Sequence, residues 1–242
     1  MTKLSMIFIV NFITILSIAG QKSYAVDTLS SDKDLSRYNS GEWYNHRKIM
    51  GGLEGTGFVF EEFMPGQIFI NDTTLSTETY LMNVDAYTNE VKYMQDGKEY
   101  TIYNTNKYTG VLIKDSLNQR YVFKRISLSE KDKTLYLLEV MHQGAKFKLY
   151  KHLEKRLHRA DLQDRGIVST GKSVNSFDEY EDYYIKKAHR PVEKINLKRN
   201  SFFELAASSK LAKLETYCAE NKIGKNLTEL QAVQLMRIIE NL

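Results

Sequence analysis

Between residues 63 and 153, apolar and polar positions alternate in short runs, each closed by a gap holding polar residues or glycine. Alternation with a period of two marks strands that bury one face. The first run, 63–72, enters through Pro65-Gly66 and sets Ile68 and Ile70 against Phe69. Further strands are expected at 78–84, 90–94, 99–103, 108–113, 121–126, 134–141 and 146–153. Gln95-Asp96-Gly97-Lys98 is the clearest hairpin signal, because Asp-Gly suits a type I′ turn and Gly accepts positive φ without a steric penalty. No amphipathic stretch of a dozen residues separates these runs, which argues against βαβ units. The pattern predicts a mainly β protein: an antiparallel meander forming a sheet, a sandwich or a partly open barrel.

After residue 153 the pattern changes. Residues 162–182, with Gly166, Gly171 and several serines, read as a linker or long loop. Pro191 separates two extended pieces, 183–187 and 192–197, that predict an edge hairpin. Ser201 and Glu204 have capping-box spacing ahead of a helix expected over 202–221, with Phe202, Leu205, Ala206, Leu211, Leu214 and Cys218 on its apolar face. Thr228 and Gln231 repeat that spacing ahead of a second helix reaching Glu240. Leu230, Val233, Met236 and Ile239 share its apolar side, broadened by Leu235. Helices this short need a partner surface, and an open sheet face supplies one.

The first 25 residues read as an export signal: Lys3, an apolar run over 6–18, and Ser23-Tyr24-Ala25 at the expected cleavage point. The run is shorter than the ~20 residues a spanning helix needs. The expected organisation is therefore a signal peptide (1–25), a leader (26–60), a β domain (61–161), the linker (162–182), and a hairpin with a two-helix tail packed on the sheet (183–242). Cleavage removes Lys3 and Lys22 and no acid, lowering the formal charge from +4 to +2. That balance is too weak to imply a nucleic-acid partner. Cys218 is the only cysteine, so an intramolecular disulfide is impossible.

Motifs for cofactors are missing. Residues 51–57 are glycine-rich but lack the Gly-Lys-Ser/Thr of a phosphate loop. The acidic stretch 178–184 lacks the spacing of a calcium loop, and the five histidines are scattered too widely for an evident zinc set. No cofactor, metal or catalytic residue is expected. Glu78, Asp85, Glu90 and Glu99 are the carboxylates available for a glycan-processing hydrolase, and solvent-face residues are the simpler reading of them. Two stretches are candidates for binding a partner. Trp43 and Tyr44 lie in an aromatic patch whose simpler reading is an anchor for the leader. Lys148, Lys151 and Arg156 lie in a basic stretch, 146–159, whose simpler reading is a solvated face ion-paired to Glu154 and Asp161.

Three segments, 63–70, 80–97 and the tail from 183, resemble an uncharacterised family of exported, β-rich proteins of Bacteroidetes-type bacteria. The resemblance covers residues 61–242 and implies a periplasmic or outer-envelope location, with no activity to carry over. Together with the tyrosine content, 16 residues, it leads to the expectation of a non-catalytic envelope protein that binds a protein or glycan, or scaffolds an assembly. The alternatives are the hydrolase and a carrier of an apolar ligand.

Overall fold

The structure, a computed structural model, describes residues 53–103, 108–129, 131, 133–160, 163–164, 169–170, 174–188 and 190–241. The export signal, Trp43 and Tyr44 lie outside the described residues. In chain order the strands are β1 (Leu53–Glu54), β2 (Met64–Phe69), β3 (Tyr80–Asp85), β4 (Glu90–Gln95), β5 (Lys98–Ile102), β6 (Gly110–Lys114) and β7 (Arg120–Ser127). They continue with β8 (Leu135–Gln143), β9 (Phe147–His158), β10 (Gln163–Asp164), β11 (Ser169–Thr170), β12 (Asn175–Lys187) and β13 (Val192–Ile195). Helices α1 (Arg199–Phe203), α2 (Leu211–Glu220) and α3 (Glu229–Asn241) follow, with a 3₁₀ turn at Ser208–Lys210. Among the described residues no helix is long and apolar enough to cross a membrane.

The fold is mainly β, as the alternation predicts. One sheet runs β1-β12-β9-β8-β7-β6-β2-β3-β4-β5, with β13 also pairing β12. It contains two antiparallel meanders, β2 to β5 and β6 to β9, joined where β6 returns to the other edge of β2. The tight turn between β4 and β5 has Asp96 at φ 51° and Gly97 at φ 73°, the two positive values its sequence predicts. Among the described residues all pairings are antiparallel except β1 with β12, so the sheet is mixed at that edge. The ladder is linear and does not close into a barrel.

The sheet curls nevertheless. A register shift between Val140 and His142 interrupts the β8–β9 ladder, and residues 135–138 of β8 pair with β7 and leave β9. Bulges of this kind bend a strand and increase its twist. The turn between β3 and β4 enters that opening. Asn89, at φ 59°, donates from its side-chain amide to the Leu135 carbonyl (2.9 Å) and accepts from the Leu137 N–H (2.8 Å). The Ala86 carbonyl accepts from the Lys155 N–H at 3.2 Å. One side-chain amide thus satisfies backbone groups that a neighbouring strand would otherwise take. Asn89→Ala removes both contacts and leaves a residue poorly suited to positive φ. A loss of about 2 kcal/mol in urea unfolding is expected, and a loss near zero would show that the turn does not hold the curl.

Two apolar clusters form on the same face of the sheet. The first fills the inside of the curl with Ile68, Met82, Val91, Ile102, Val111, Ile113, Phe123 and Leu137. The second lies between β9, β12, β13 and the helical tail, and contains Leu149, Ile185, Phe202, Leu214, Cys218, Leu235 and Met236. The tail therefore covers the sheet face that the curl leaves open.

Several expectations are corrected. The linker expected over 162–182 gives way to strand from Asn175, since β12 pairs with β9 from Ser176↔His158 to Lys187↔Phe147. Neither partner is strongly apolar here. Acidic β12 instead faces basic β9, with Asp178 opposite Arg156 and Glu179 opposite Lys155, and opposite charges across a ladder are favourable. The same pairing carries β9 past its expected end at residue 153. The helix expected over 202–221 is broken into α1, the 3₁₀ turn and α2. Ala207 is extended (ψ 143°), and Ser208-Ser209 continue poorly as helix. Ser201 sits inside α1 and does not cap it; Lys198 holds that position, without a side-chain cap. The second capping box forms, with Thr228 N–H donating to Gln231 Oε1 (3.0 Å) and Gln231 N–H to Thr228 Oγ1 (3.3 Å). Leu230, expected on the apolar side of the second helix, is instead exposed at 68 %, and Ala232, outside that expectation, is buried.

Candidate functional site

Alternation along β9 decides where the basic stretch goes. Successive side chains point to opposite faces. Leu149 and Lys151 face the helical tail, whereas Lys148 and Tyr150 line a groove on the outer face. Arg156 lies on that outer face too, about 26 Å further along the strand at ~3.3 Å per residue. The three basic candidates therefore do not form one site.

Lys151 belongs to a charged cluster between the two apolar cores. Its ammonium is 2.5 Å from Glu181 Oε1 on β12 and 2.8 Å from Glu229 Oε1 on α3. The Tyr183 hydroxyl lies 2.8 Å from both carboxylates. Burial lowers the Lys151 pKa, but its hydrogen bonds to Glu181 and Glu229 outweigh this and raise it above the ordinary lysine value. Burial opposes ionisation of Glu181, yet Lys151 and Tyr183 hold its pKa below the ordinary range. Glu139, opposite Lys151 on β8, is pushed up chiefly by burial, with Glu229 and Glu181 adding to the rise against Lys151. This cluster ties helix to sheet. Arg156 is paired with Glu154 at 2.7 and 2.8 Å and lies over the Tyr180 ring at 4.5 Å. The expected pairing with Glu154 is thus present, and Asp161 lies outside the described residues.

The groove around Lys148 is the feature most suited to a ligand. It encloses about 880 Å³, within the range of ligand sites. Its floor crosses β7, β8 and β9 through Lys124, Ile126, Val140 and Tyr150. The β2–β3 loop contributes Asp72 and Thr73 on one side, and Arg190, Pro191 and Val192 stand on the other. Among the described residues, Lys124, Lys148, Lys186 and Arg190 bring their charges to it, with Asp72 the one acid, whereas Arg125, next to Lys124 on β7, turns its guanidinium to the inner face and onto Tyr108. Lys124 is held by the Asp72 carbonyl (3.0 Å) and by the Phe69 ring, 3.4 Å from its ammonium. Its pKa is lowered, first by burial and also by the charge of Lys148, while Asp72 opposes the shift. Burial, with a contribution from Asp72, pushes the Tyr150 phenol up to about 12, so it remains a neutral hydrogen-bonding group.

The carboxylates singled out for hydrolysis have local structural partners. Asp85 Oδ1 accepts from the N–H groups of Tyr87 (3.0 Å) and Thr88 (3.1 Å), which shapes the β3–β4 turn. Glu90 pairs with Lys92 at 2.6 Å, and Glu78 accepts from the Tyr80 hydroxyl. Among the described residues no three His, Cys, Asp or Glu side chains converge as a metal site. His142 faces Glu240 at 3.4 Å, and His152 packs edge-on to Tyr136 with ring centroids 5.3 Å apart. Cys218 is free and buried, and burial raises its thiol pKa, which disfavours the reactive thiolate.

Sequence reasoning reached Lys148 but missed Lys124, Lys186 and Arg190. They come from separate segments that only the folded sheet brings together. A weak signal existed in Lys124, Lys148 and Lys186, each a charged position within a strand-forming pattern. The architecture is that of a mainly β protein with an open, curled sheet, a helical cap and a cationic outer groove. No family model, curated protein or solved structure matches the chain.

Proposed function

We propose that this is an exported, non-catalytic binding protein of the cell envelope, which holds an anionic partner, protein or glycan, in the groove around Lys148. The observation that carries this reading is the grouping, among the described residues, of four cationic side chains (Lys124, Lys148, Lys186 and Arg190) with one acid around a single open groove. Charge complementarity of this kind favours encounter and selection of oppositely charged partners. The inside of the curl is filled by side chains, with Met82, Val91, Val111 and Ile113 fully buried, so the outer groove has better support than an internal apolar-ligand site. The export part of the reading rests on residues 1–25, and the envelope location on the family resemblance.

Proximity crosslinking in the native envelope tests it. Wild-type protein is expected to capture a partner, with capture falling at least tenfold for Lys148→Glu/Lys186→Glu and decreasing as salt rises. Lys213→Glu, at an exposed position on α2, is expected to change nothing. Equal capture by the groove variant and wild type would sink the proposal.

A further inference from the structure

Lys148 and Lys186 are direct cross-strand partners on β9 and β12. Like charges placed directly opposite each other are destabilising. Other cations on these strands and on β13 are compensated: Lys151 by Glu181 and Glu229, Lys155 by Glu179, Arg156 by Glu154, Lys187 by Glu193 and Lys194 by Asp182. Among the described residues, no carboxylate lies at ion-pair distance from Lys148, Lys186, Lys124 or Arg190. The fold therefore concentrates uncompensated positive charge in the groove, where an anion would relieve the repulsion.

The remaining lining narrows the anion. Only Ile126, Val140, Pro191 and Val192 are aliphatic. A site for peptide anchors is expected to be mostly apolar and aromatic. Neutral hydrogen-bonding groups are instead interspersed with the cations: the Thr73, Ser127 and Ser129 hydroxyls, the Tyr150 phenol and the Gln143 amide. Cations supply the attraction for acidic groups, and hydroxyl and amide groups suit the alcohols between them.

We infer that the groove binds a hydroxyl-rich polyanion, an acidic polysaccharide segment carrying carboxylate or sulfate groups. This deepens the binding reading above and rests on it. Lys124, Lys148, Lys186 and Arg190 contact the acidic groups, and Thr73, Ser129 and Gln143 bond the sugar hydroxyls.

Affinity electrophoresis of the full chain tests the inference, using gels that contain polygalacturonate, dextran sulfate, neutral dextran or polyglutamate. Retardation is expected with at least one acidic polysaccharide. Polygalacturonate alone assigns carboxylate, dextran sulfate alone assigns sulfate, and both together assign the shared polyanion chemistry. Neutral dextran is expected to give none, and polyglutamate at least tenfold weaker binding. Lys148→Gln/Lys186→Gln, which keeps side-chain length and adds no repulsive charge, is expected to weaken polysaccharide binding at least tenfold. Gln143→Ala is expected to weaken it about threefold without changing the response to polyglutamate, about the effect of one neutral hydrogen bond. Polyglutamate binding as tight as polysaccharide binding would overturn the saccharide assignment while leaving an anionic protein partner in place. No retardation by either acidic polysaccharide, with crosslinking still sensitive to groove charge, would do the same. Polysaccharide binding unaffected by the glutamine variants would overturn the groove as its site. If charge reversal also left crosslinked capture unchanged, the broader reading would fall with it.

Discussion

Phe202→Ala is expected to lower stability by about 3–5 kcal/mol, the usual range for removing a buried aromatic side chain. Phe202 is fully buried on α1, a helix only five residues long and without a side-chain N-cap. A helix that short gains little from its own hydrogen bonds and depends on packing. Phe202 belongs to the cluster that joins Leu149 and Ile185 of the sheet to Leu214, Leu235 and Met236 of the tail. Its removal leaves a cavity at the junction of three helices and the sheet. Urea unfolding measures the loss, and labelling of Cys218 locates it. That thiol is buried in the same cluster, so local opening of the cap should make it react faster in the variant. Phe202→Leu, which keeps much of the volume, is expected to lose less than half as much. A loss below about 1 kcal/mol for the alanine variant would mean that the tail does not depend on this contact.

Lys151→Met is expected to cost about 2–3 kcal/mol near pH 7, less than for a fully buried ion pair because the cluster retains some solvent contact. The substitution keeps much of the side-chain length but leaves Glu139, Glu181 and Glu229 without their shared cation. The pH dependence separates charge from packing. In the wild type, Lys151 has a raised pKa, so its contribution is present below about pH 10 and is lost as pH rises through the folded value. Glu181 has a depressed pKa, so its contribution is present above about pH 4.5 and is lost as pH falls through the folded value. The cluster therefore stabilises the fold between those limits. In the variant the carboxylates repel one another until they are protonated. The stability gap from wild type should be widest at pH 7–9 and narrow toward pH 4.5. Lys151→Arg should retain most of the stability. An equal gap at pH 4.5 and 7.5 would assign the loss to packing.

Much of the sheet was legible because strand alternation is local. Ile68, Val91, Val111 and Phe123 declare an inward face from their immediate neighbours, and Asp96-Gly97 declares a turn from two residues. The second capping box was legible for the same reason. β12 was not. Its acidic and aromatic residues resemble a solvated segment until basic β9 lies beside them. The break between α1 and α2 was likewise hidden, because the apolar residues on either side continue a helical spacing across the extended Ala207.

The candidate site divides in the same way. Lys148 was named from its sequence position, but its neighbour Lys186 is 38 residues away and becomes a cross-strand partner only through β9–β12 pairing. Lys151, three residues from Lys148, passes to the other face and is neutralised there. The amino-acid order by itself determined strand alternation, the tight β4–β5 turn and the Leu235, Met236 and Ile239 part of the last helix's apolar face, since each depends on residues a few positions apart. Only the tertiary structure decided the curl, the helical cap and which cations share a groove. Those depend on ladder register and on charge balance between segments far apart in the chain, and a one-residue shift in pairing would send every side chain to the opposite face.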